Sequence, residues 1–414
     1  MFPFHMLRPP FAFSITTWAA ADNSPRDQFG LRLETEFLEL GKALDKWRPE
    51  RIIGAEPGVE RGAFSMDELL AILRAHQKRY PQLTEVDLVK LVYQNEFGPG
   101  HFIANEQASL EHLEEEYSQL EPAGAGREEL FEPIGGGLVR LHLRALLGSL
   151  PLSTVNRFFV LTAGEVRGSR AGFERKLEVL RGLLQDPAFD AFLEEYKDQG
   201  YRALSHSQRF RAHYTPAYRV VKSDFALFYP VFREIERLLR KEQPIVVAVD
   251  GRSGSGKSSL AKLLQEVYGC STISMDHFFL QPHQRSAARL QEPGGNVDYE
   301  RFQAEVAAKL KGGEPFRYQI FNCQDGSFTP SPVVETGPLT VVEGCYSHHP
   351  KFAQIYDLKV FLTITPEIQR ERILRRSGPA MLRRFVEEWI PLEERYFSTF
   401  RIAEHSELCI STDQ

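Results

Sequence analysis

Residues 245–258 read Ile-Val-Val-Ala-Val-Asp-Gly-Arg-Ser-Gly-Ser-Gly-Lys-Ser, a β-branched apolar run that stops at a glycine-rich turn. The turn, Gly251 to Ser258, fits the pattern G-x-x-x-x-G-K-[ST], and Leu260, Leu263 and Leu264 follow at helical spacing. Strand, turn and helix in that order aim several backbone N–H groups and a helix N-terminus at one point, which suits a polyphosphate. Gly251, Gly254 and Gly256 let the backbone approach an anion with no Cβ in the way. The pattern predicts that Gly251, Ser253, Gly254, Ser255, Gly256, Lys257, Ser258 and Ser259 hold the phosphates of a nucleoside triphosphate. Lys257 is expected to reach the β- and γ-phosphates, and the Ser258 hydroxyl to face Mg²⁺.

Beyond Pro244 the chain alternates short apolar runs with helical segments. The runs are Ile245 to Val249, Ser271 to Ser274, Leu339 to Val342, Leu358 to Ile364 and Leu408 to Ile410. Near-continuous apolar strands separated by helices predict a parallel sheet covered on both faces, here an α/β P-loop NTPase fold over 241–414. Ligands of such sheets bind beyond the carboxyl ends of the strands. Asp276 and Glu343 stand just past the second and third runs. Phosphoryl transfer needs a base for the attacking hydroxyl and a carboxylate for the magnesium water, and these two are the candidates in that order. A helix N-cap for Asp276 and a structural ion pair for Glu343 are the competing readings.

Upstream, residues 65–240 read as a mostly α-helical domain. Ser65-Met66-Asp67-Glu68 is a capping box, a second helix runs from Thr84 to the Gly98-Pro99-Gly100 stop, and a third carries Leu110, Leu113, Tyr117 and Leu120. Pro122 to Gly137 reads as a loop with Ile134 packed, and Leu138 to Leu143 as the one clear strand of this half. Further helices are expected at 154–161, 172–184, 189–196, 207–213 and 228–239. Lys241-Glu242-Gln243-Pro244 makes the boundary, and residues 1–64 are expected to be a poorly ordered leader.

The 414 residues favour two domains over one core, and 42% hydrophobic with 26% charged residues fit a soluble globular protein. A formal charge of -6 gives no general attraction to nucleic acid or membrane, and no window is apolar enough for a membrane helix. Phe11 to Ala21 weakly resembles a signal peptide but is interrupted by Ser14, Thr16 and Thr17. Cys270, Cys323, Cys345 and Cys409 form no C-x-x-C pair, so reduced packing cysteines and a cytoplasmic location are expected.

The ordered set Gly251-Arg-Ser-Gly-Ser-Gly-Lys-Ser-Ser259, Asp276-His-Phe-Phe279, Asn296-Val-Asp-Tyr-Glu-Arg-Phe302 and Val342-Glu-Gly344 resembles the uridine kinase and phosphoribulokinase family of P-loop kinases, over the part from Pro244 onward. The resemblance implies an ATP- and Mg²⁺-dependent phosphotransferase with Asp276 as base and an arginine-bearing lid. Arg370, Arg372, Arg375 and Arg376 follow Thr365-Pro366; Arg372 and Arg376, four apart on one face, are the lid candidates, against the reading of a solvated basic face.

The family's nucleoside-reading residues are a tyrosine-aspartate pair followed by a histidine and an arginine. This chain has Tyr318-Gln-Ile-Phe-Asn-Cys-Gln-Asp325, where only the tyrosine agrees. Uridine is therefore not the expected acceptor; a nucleoside- or sugar-like alcohol is, with Arg289 and Tyr318 as candidate pocket residues. The absence of Asn-Lys-x-Asp and Leu-Ser-Gly-Gly-Gln signatures takes support from the two largest classes of nucleotide switch, leaving as alternatives an NTPase switch whose hydrolysis controls the helical half and a non-catalytic nucleotide-binding module.

For the helical half, Glu96, His101, His206 and His213 form a candidate metal set, and Arg209, Arg211, Arg219 and Lys222 with Phe210, Tyr214 and Tyr218 a candidate phosphate or nucleic-acid surface. The acidic run Glu111, Glu114, Glu115 and Glu116 opposes the latter, and self-association into a homo-oligomer stays open.

Overall fold

The computed structural model describes residues 65–99, 105–121, 129–166, 168–323 and 325–413. The leader expected over 1–64 lies outside the described residues. So does His101.

The first half opens with helices α1 (Met66–Arg79), α2 (Glu85–Phe97) and α3 (Glu106–Ser118). Ser65 caps α1 by accepting the Glu68 N–H at 3.0 Å, the first half of the expected capping box, and α2 starts after Thr84 as expected, where Thr84 and Asp87 form a capping box that the sequence reading did not name. Strands β1 (Phe131–Gly135) and β2 (Leu138–His142) follow, then α4 (Leu152–Glu165), α5 (Arg170–Leu184), α6 (Pro187–Asp198), α7 (Gln208–Tyr214), β3 (Tyr218–Lys222), α8 (Ser223–Leu227) and α9 (Tyr229–Leu239).

Two strands here are corrections. The segment read as a loop contains β1, and β3 lies in the stretch read only for its basic and aromatic residues. Together with β2 they form an antiparallel sheet in the order β1-β2-β3. Pro133 argued against a strand, but β1 is an edge, where a missing N–H costs no ladder bond. Every residue of β2 is buried. Arg140 and His142 alternate with Val139 and Leu141, so one face of the sheet is apolar and the other carries charge into the interior.

The second half contains β4 (Ile245–Gly251), α10 (Lys257–Tyr268), β5 (Ser271–Ser274), the short helices α11 (Ala287–Gln291) and α12 (Tyr299–Phe302), the hairpin β6 (Gln319–Phe321) and β7 (Phe328–Pro330), then β8 (Leu339–Glu343), β9 (Leu358–Thr363), α13 (Pro366–Arg384), α14 (Ile390–Phe400) and β10 (Leu408–Ser411). The five expected strands form one parallel sheet in the order β10-β9-β4-β8-β5. Strand order reverses on either side of β4, so the turn after it opens into a crevice. Helix α13 is broken at Gly378, whose φ of 77° precedes Pro379.

Both halves belong to one compact unit. Phe158 has Phe225 stacked on it at 4.2 Å and Phe232 edge-on at 4.7 Å between centroids, each burial contributing about 1.5–3 kcal/mol. Glu236 of α9 joins the halves by accepting from Thr154 at 2.6 Å and from the Tyr268 hydroxyl at 3.1 Å. Arg157 of α4 donates to the Glu266 carbonyl near the far end of α10. The helix that starts at the phosphate loop thus ends on the helical half. Among the described residues no helix is long and apolar enough to cross a membrane.

Candidate active site

Strand register sets the site. Glu343 pairs with Val249 on one side and with Ser274 on the other, while Gly251 pairs with Leu362. The carboxyl ends of β4, β5, β8 and β9 are level, and the loop after β4 rises between them. Gly251, Gly254 and Gly256 have φ of 145°, 80° and 93°, the backbone states that their lack of a Cβ allows.

The loop is pinned by elements far away in sequence. Glu393 of α14 accepts both the Ser253 N–H, at 3.0 Å, and the Ser253 hydroxyl. Arg252 is bidentate to Glu394 at 2.6 and 3.1 Å, and Gln369 of α13 donates to the Ser253 carbonyl. Thr412, past β10, donates to the Ser255 carbonyl at 2.9 Å. Beneath the loop, Asp250 is fully buried and accepts the N–H groups of Gly251, Tyr346 and His348 and the Tyr396 hydroxyl, at 2.7 to 3.2 Å. Burial pushes its carboxyl up to about 6 against these bonds.

Lys257 opens α10 and its Nζ donates to the carbonyls of Gly251 and Arg252 at 2.8 and 3.0 Å. Ser258 and Ser259 are exposed on the first turn. The Ser258 hydroxyl donates to Glu343 Oε2 at 3.0 Å, so the two metal candidates meet. Burial raises the Glu343 carboxyl, partly offset by hydrogen bonds from Ser274 and Ser258. An alcohol and a carboxylate oxygen are hard donors of the kind Mg²⁺ takes, and that ion needs only one or two protein ligands beside phosphates. Asp276, one strand further, is exposed, and its charge acts on the Glu343 ionisation.

Tyr318 stands at the same rim. Its hydroxyl bonds His277 Nδ1 at 2.8 Å, and burial pushes the phenol up to about 12. It leads into the β6–β7 hairpin, where Cys323 is close enough to Asp276 and Arg285 for both to act on its thiol. Arg289 is committed elsewhere. Its guanidinium bonds Glu300 and the carbonyls of Gly295 and Val297 and lies 3.7 Å from the Tyr299 ring centroid, so it fastens the 289–300 turn.

Of the lid candidates, Arg372 reaches the loop, donating to the Gly254 carbonyl at 3.3 Å and to the Thr412 carbonyl at 2.5 Å. Arg376 is turned onto Ser377 and lies 5.7 Å from the Phe385 ring. The structure does not bring these two to one point.

Asp250 could have been read as the one acid closing an apolar strand. Glu393 and Glu394 lie over a hundred residues from the loop and give no local signal. In the helical half the described members of the metal set, Glu96, His206 and His213, are each engaged with other partners. Both His206 ring nitrogens are engaged, by Asp87 at 2.8 Å and Tyr218 at 2.6 Å, and Glu96 pairs with Lys176 at 2.7 Å. Among the described residues no group of three or more His, Cys, Asp or Glu side chains is placed to hold a metal.

Residues 246–378 match the phosphoribulokinase / uridine kinase family. A dephospho-CoA kinase from Nitrobacter winogradskyi is 30% identical over 144 residues, spanning 32% of this chain and 72% of that one. Among solved structures, a possible uridine kinase from Bacillus stearothermophilus shares 17% identity over 44% of this chain and 99% of its own, with a TM-score of 0.32. A D-glycerate 3-kinase from Cryptococcus neoformans var. grubii shares 16% identity over 45% of this chain and 96% of its own, with a TM-score of 0.32.

Proposed function

Residues 246–378 belong to the phosphoribulokinase / uridine kinase family, which makes the C-terminal half a P-loop kinase of that type, and from there we propose an ATP- and Mg²⁺-dependent transfer of the γ-phosphoryl to a hydroxyl of a small metabolite. The observation that carries this reading is the Ser258–Glu343 bond beside Asp276, because it joins the phosphate loop, the adjacent strand and the next one at a single rim.

In this mechanism the loop N–H groups and Lys257 bind and orient the polyphosphate, which is most of what phosphoryl transfer asks of a protein. Ser258 and Glu343 are the residues that would hold Mg²⁺, which neutralises charge on the phosphate oxygens when bound. Asp276 accepts the proton of the attacking hydroxyl. Arg372, already against the loop, supplies positive charge to the transferred group. The acceptor enters between Asp276 and the β6–β7 hairpin, where Tyr318 and Arg285 supply polar contacts, and the family's histidine and arginine are absent from 319–325. An alcohol other than uridine fits that lining.

The test is a metabolite pool incubated with γ-labelled ATP and magnesium. Label in a small organic molecule is expected. Label released only as inorganic phosphate would overturn the kinase reading and favour a hydrolytic switch, for which the contact of α10 with the helical half offers a route.

A further inference from the structure

A cleft of about 740 Å³ opens in the helical half, with no phosphate-loop residue in its wall, lined by Lys90 and Gln94 of α2, His112 of α3, Phe159, His206 and Tyr218. Asp87, Lys90 and Gln94 fall at i, i+3 and i+7, so they share one face of α2. Asp87 bonds His206 Nδ1, and the Gln94 amide reaches the Tyr218 hydroxyl at 3.2 Å. Lys90 lies between them and donates to the carbonyl of Leu204, two residues before His206, at 2.8 Å. Lys90, His206 and Tyr218 line the same cleft, and the Lys90 charge acts on His206.

The protons in that pair have one consistent placement. Burial opposes ionisation of Asp87, but the His206 N–H, with donors from Thr84 and Ser207, holds its carboxyl well below the usual range. It is a carboxylate, so Nδ1 carries the ring proton. Burial lowers His206 to about 4, leaving the ring neutral and Nε2 bare to accept the Tyr218 O–H at 2.6 Å. Behind the tyrosine, the Arg140 guanidinium lies 4.7 Å from the ring centroid, fixed by Gln94 and by Glu132 at 3.2 Å. Burial and the Arg140 charge lower Lys90 to about 8. Arginine nearby and removal from water are the two devices that turn a lysine into a nucleophile.

We propose that this cleft is a second reactive site, taking a small ketone or aldehyde with which the Lys90 amine forms an imine while Tyr218, backed by His206 and Asp87, moves the proton. The amine nitrogen attacks the carbonyl carbon, a C–N bond forms and the C=O π pair goes to oxygen. That oxygen takes a proton from Tyr218, which recovers one from the nitrogen. The proton that the Lys90 ammonium gave to solvent before the attack then returns to the hydroxyl, the C–O bond breaks to release water, and the nitrogen lone pair closes the C=N bond. The net change is ammonium plus carbonyl giving iminium plus water, with no oxidation or reduction.

The full chain is incubated with pyruvate or with dihydroxyacetone and cyanoborohydride, digested, and mapped by mass spectrometry. An adduct at Lys90 is expected, forming at least about tenfold faster than at the exposed Lys78 and Lys197. Preference for pyruvate marks a carboxylate-bearing substrate and preference for dihydroxyacetone a hydroxylated one. The labelling rate should rise through about pH 8, set by the groups facing Lys90: Asp87 on its own helix, Arg140 from β2, His206, Tyr218, and His112 and Glu115 across the cleft. Arg219 there is neutralised by Glu116 at 2.7 Å. Tyr218→Phe should slow labelling about tenfold with an unchanged circular dichroism spectrum. Labelling of Lys90 no faster than of Lys78 and Lys197 with both ketones, or an equal rate in Tyr218→Phe, overturns the proposal.

Discussion

Gly251→Ala separates what the phosphate loop requires of geometry from what it requires of conformation. A Cβ at Gly251 would lie 2.1 Å from the Leu362 carbonyl oxygen and 2.9 Å from the Leu362 nitrogen, backbone atoms that cannot swing away. Ordinary contact begins at 3.4 Å, so β4 and β9 must part by about 1.3 Å at their paired residues. That movement breaks the Arg252 N–H bond to Leu362, worth about 1 kcal/mol net, and the backbone state at φ 145° costs a non-glycine residue about 1–3 kcal/mol. The sum is about 2–4 kcal/mol. Gly256→Ala is the control. Its φ is 93°, but nothing lies within 4 Å of the added carbon, so only the backbone cost of about 1–2 kcal/mol remains. Urea unfolding followed by far-ultraviolet circular dichroism reads both. Gly251→Ala should be the less stable by about 1–2 kcal/mol and should also bind nucleotide more weakly in calorimetry, because the loop is displaced. Equal stabilities, or a Gly251→Ala protein within about 0.5 kcal/mol of the parent, would refute the steric argument.

Four further outcomes are expected. Lys257→Ala should lower nucleotide affinity and turnover together, whereas Asp276→Asn should lower turnover by about 10²-fold or more with nucleotide affinity kept; full activity of Asp276→Asn removes it as the base. Burial raises Asp250 from 3.8 to about 6, so its contribution to stability is whole below about pH 4 and is lost as pH rises through 6, an effect on the order of 3 kcal/mol. The buried His206, His348 and His349, lowered by burial, act oppositely over this window, so the Asp250 share is read as the difference in pH slope between parent and Asp250→Asn; identical slopes would contradict it. Arg140→Met should cost about 3–5 kcal/mol in urea unfolding, because the buried Glu132 loses its one buried guanidinium partner and keeps His76 at 3.3 Å, His142 at 3.6 Å and the exposed Arg79 at 3.6 Å; a loss under about 1 kcal/mol would mean that these three suffice.

The chain's local pattern determined the parallel sheet, because a central strand buried on both faces must be largely apolar along its length, and the runs of β4, β8 and β9 declare themselves that way, while β5 and β10 close the two edges with mixed runs. It determined the phosphate loop for the same kind of reason: the positive φ values at Gly251, Gly254 and Gly256 are obligations of single residues. It determined the cap of α1 and the start of α2, whose partners lie within one helical turn. Only the tertiary structure decided what crosses between elements. The grip of Glu393 on Ser253, the fastening of Arg289 to Glu300, the turn of Arg376 away from the loop and the pairing of β1 and β3 around Arg140 all join residues with no shared period or spacing. A charge inside a protein is stable only with its partners in place, and those partners are chosen by packing, which a one-dimensional pattern does not contain.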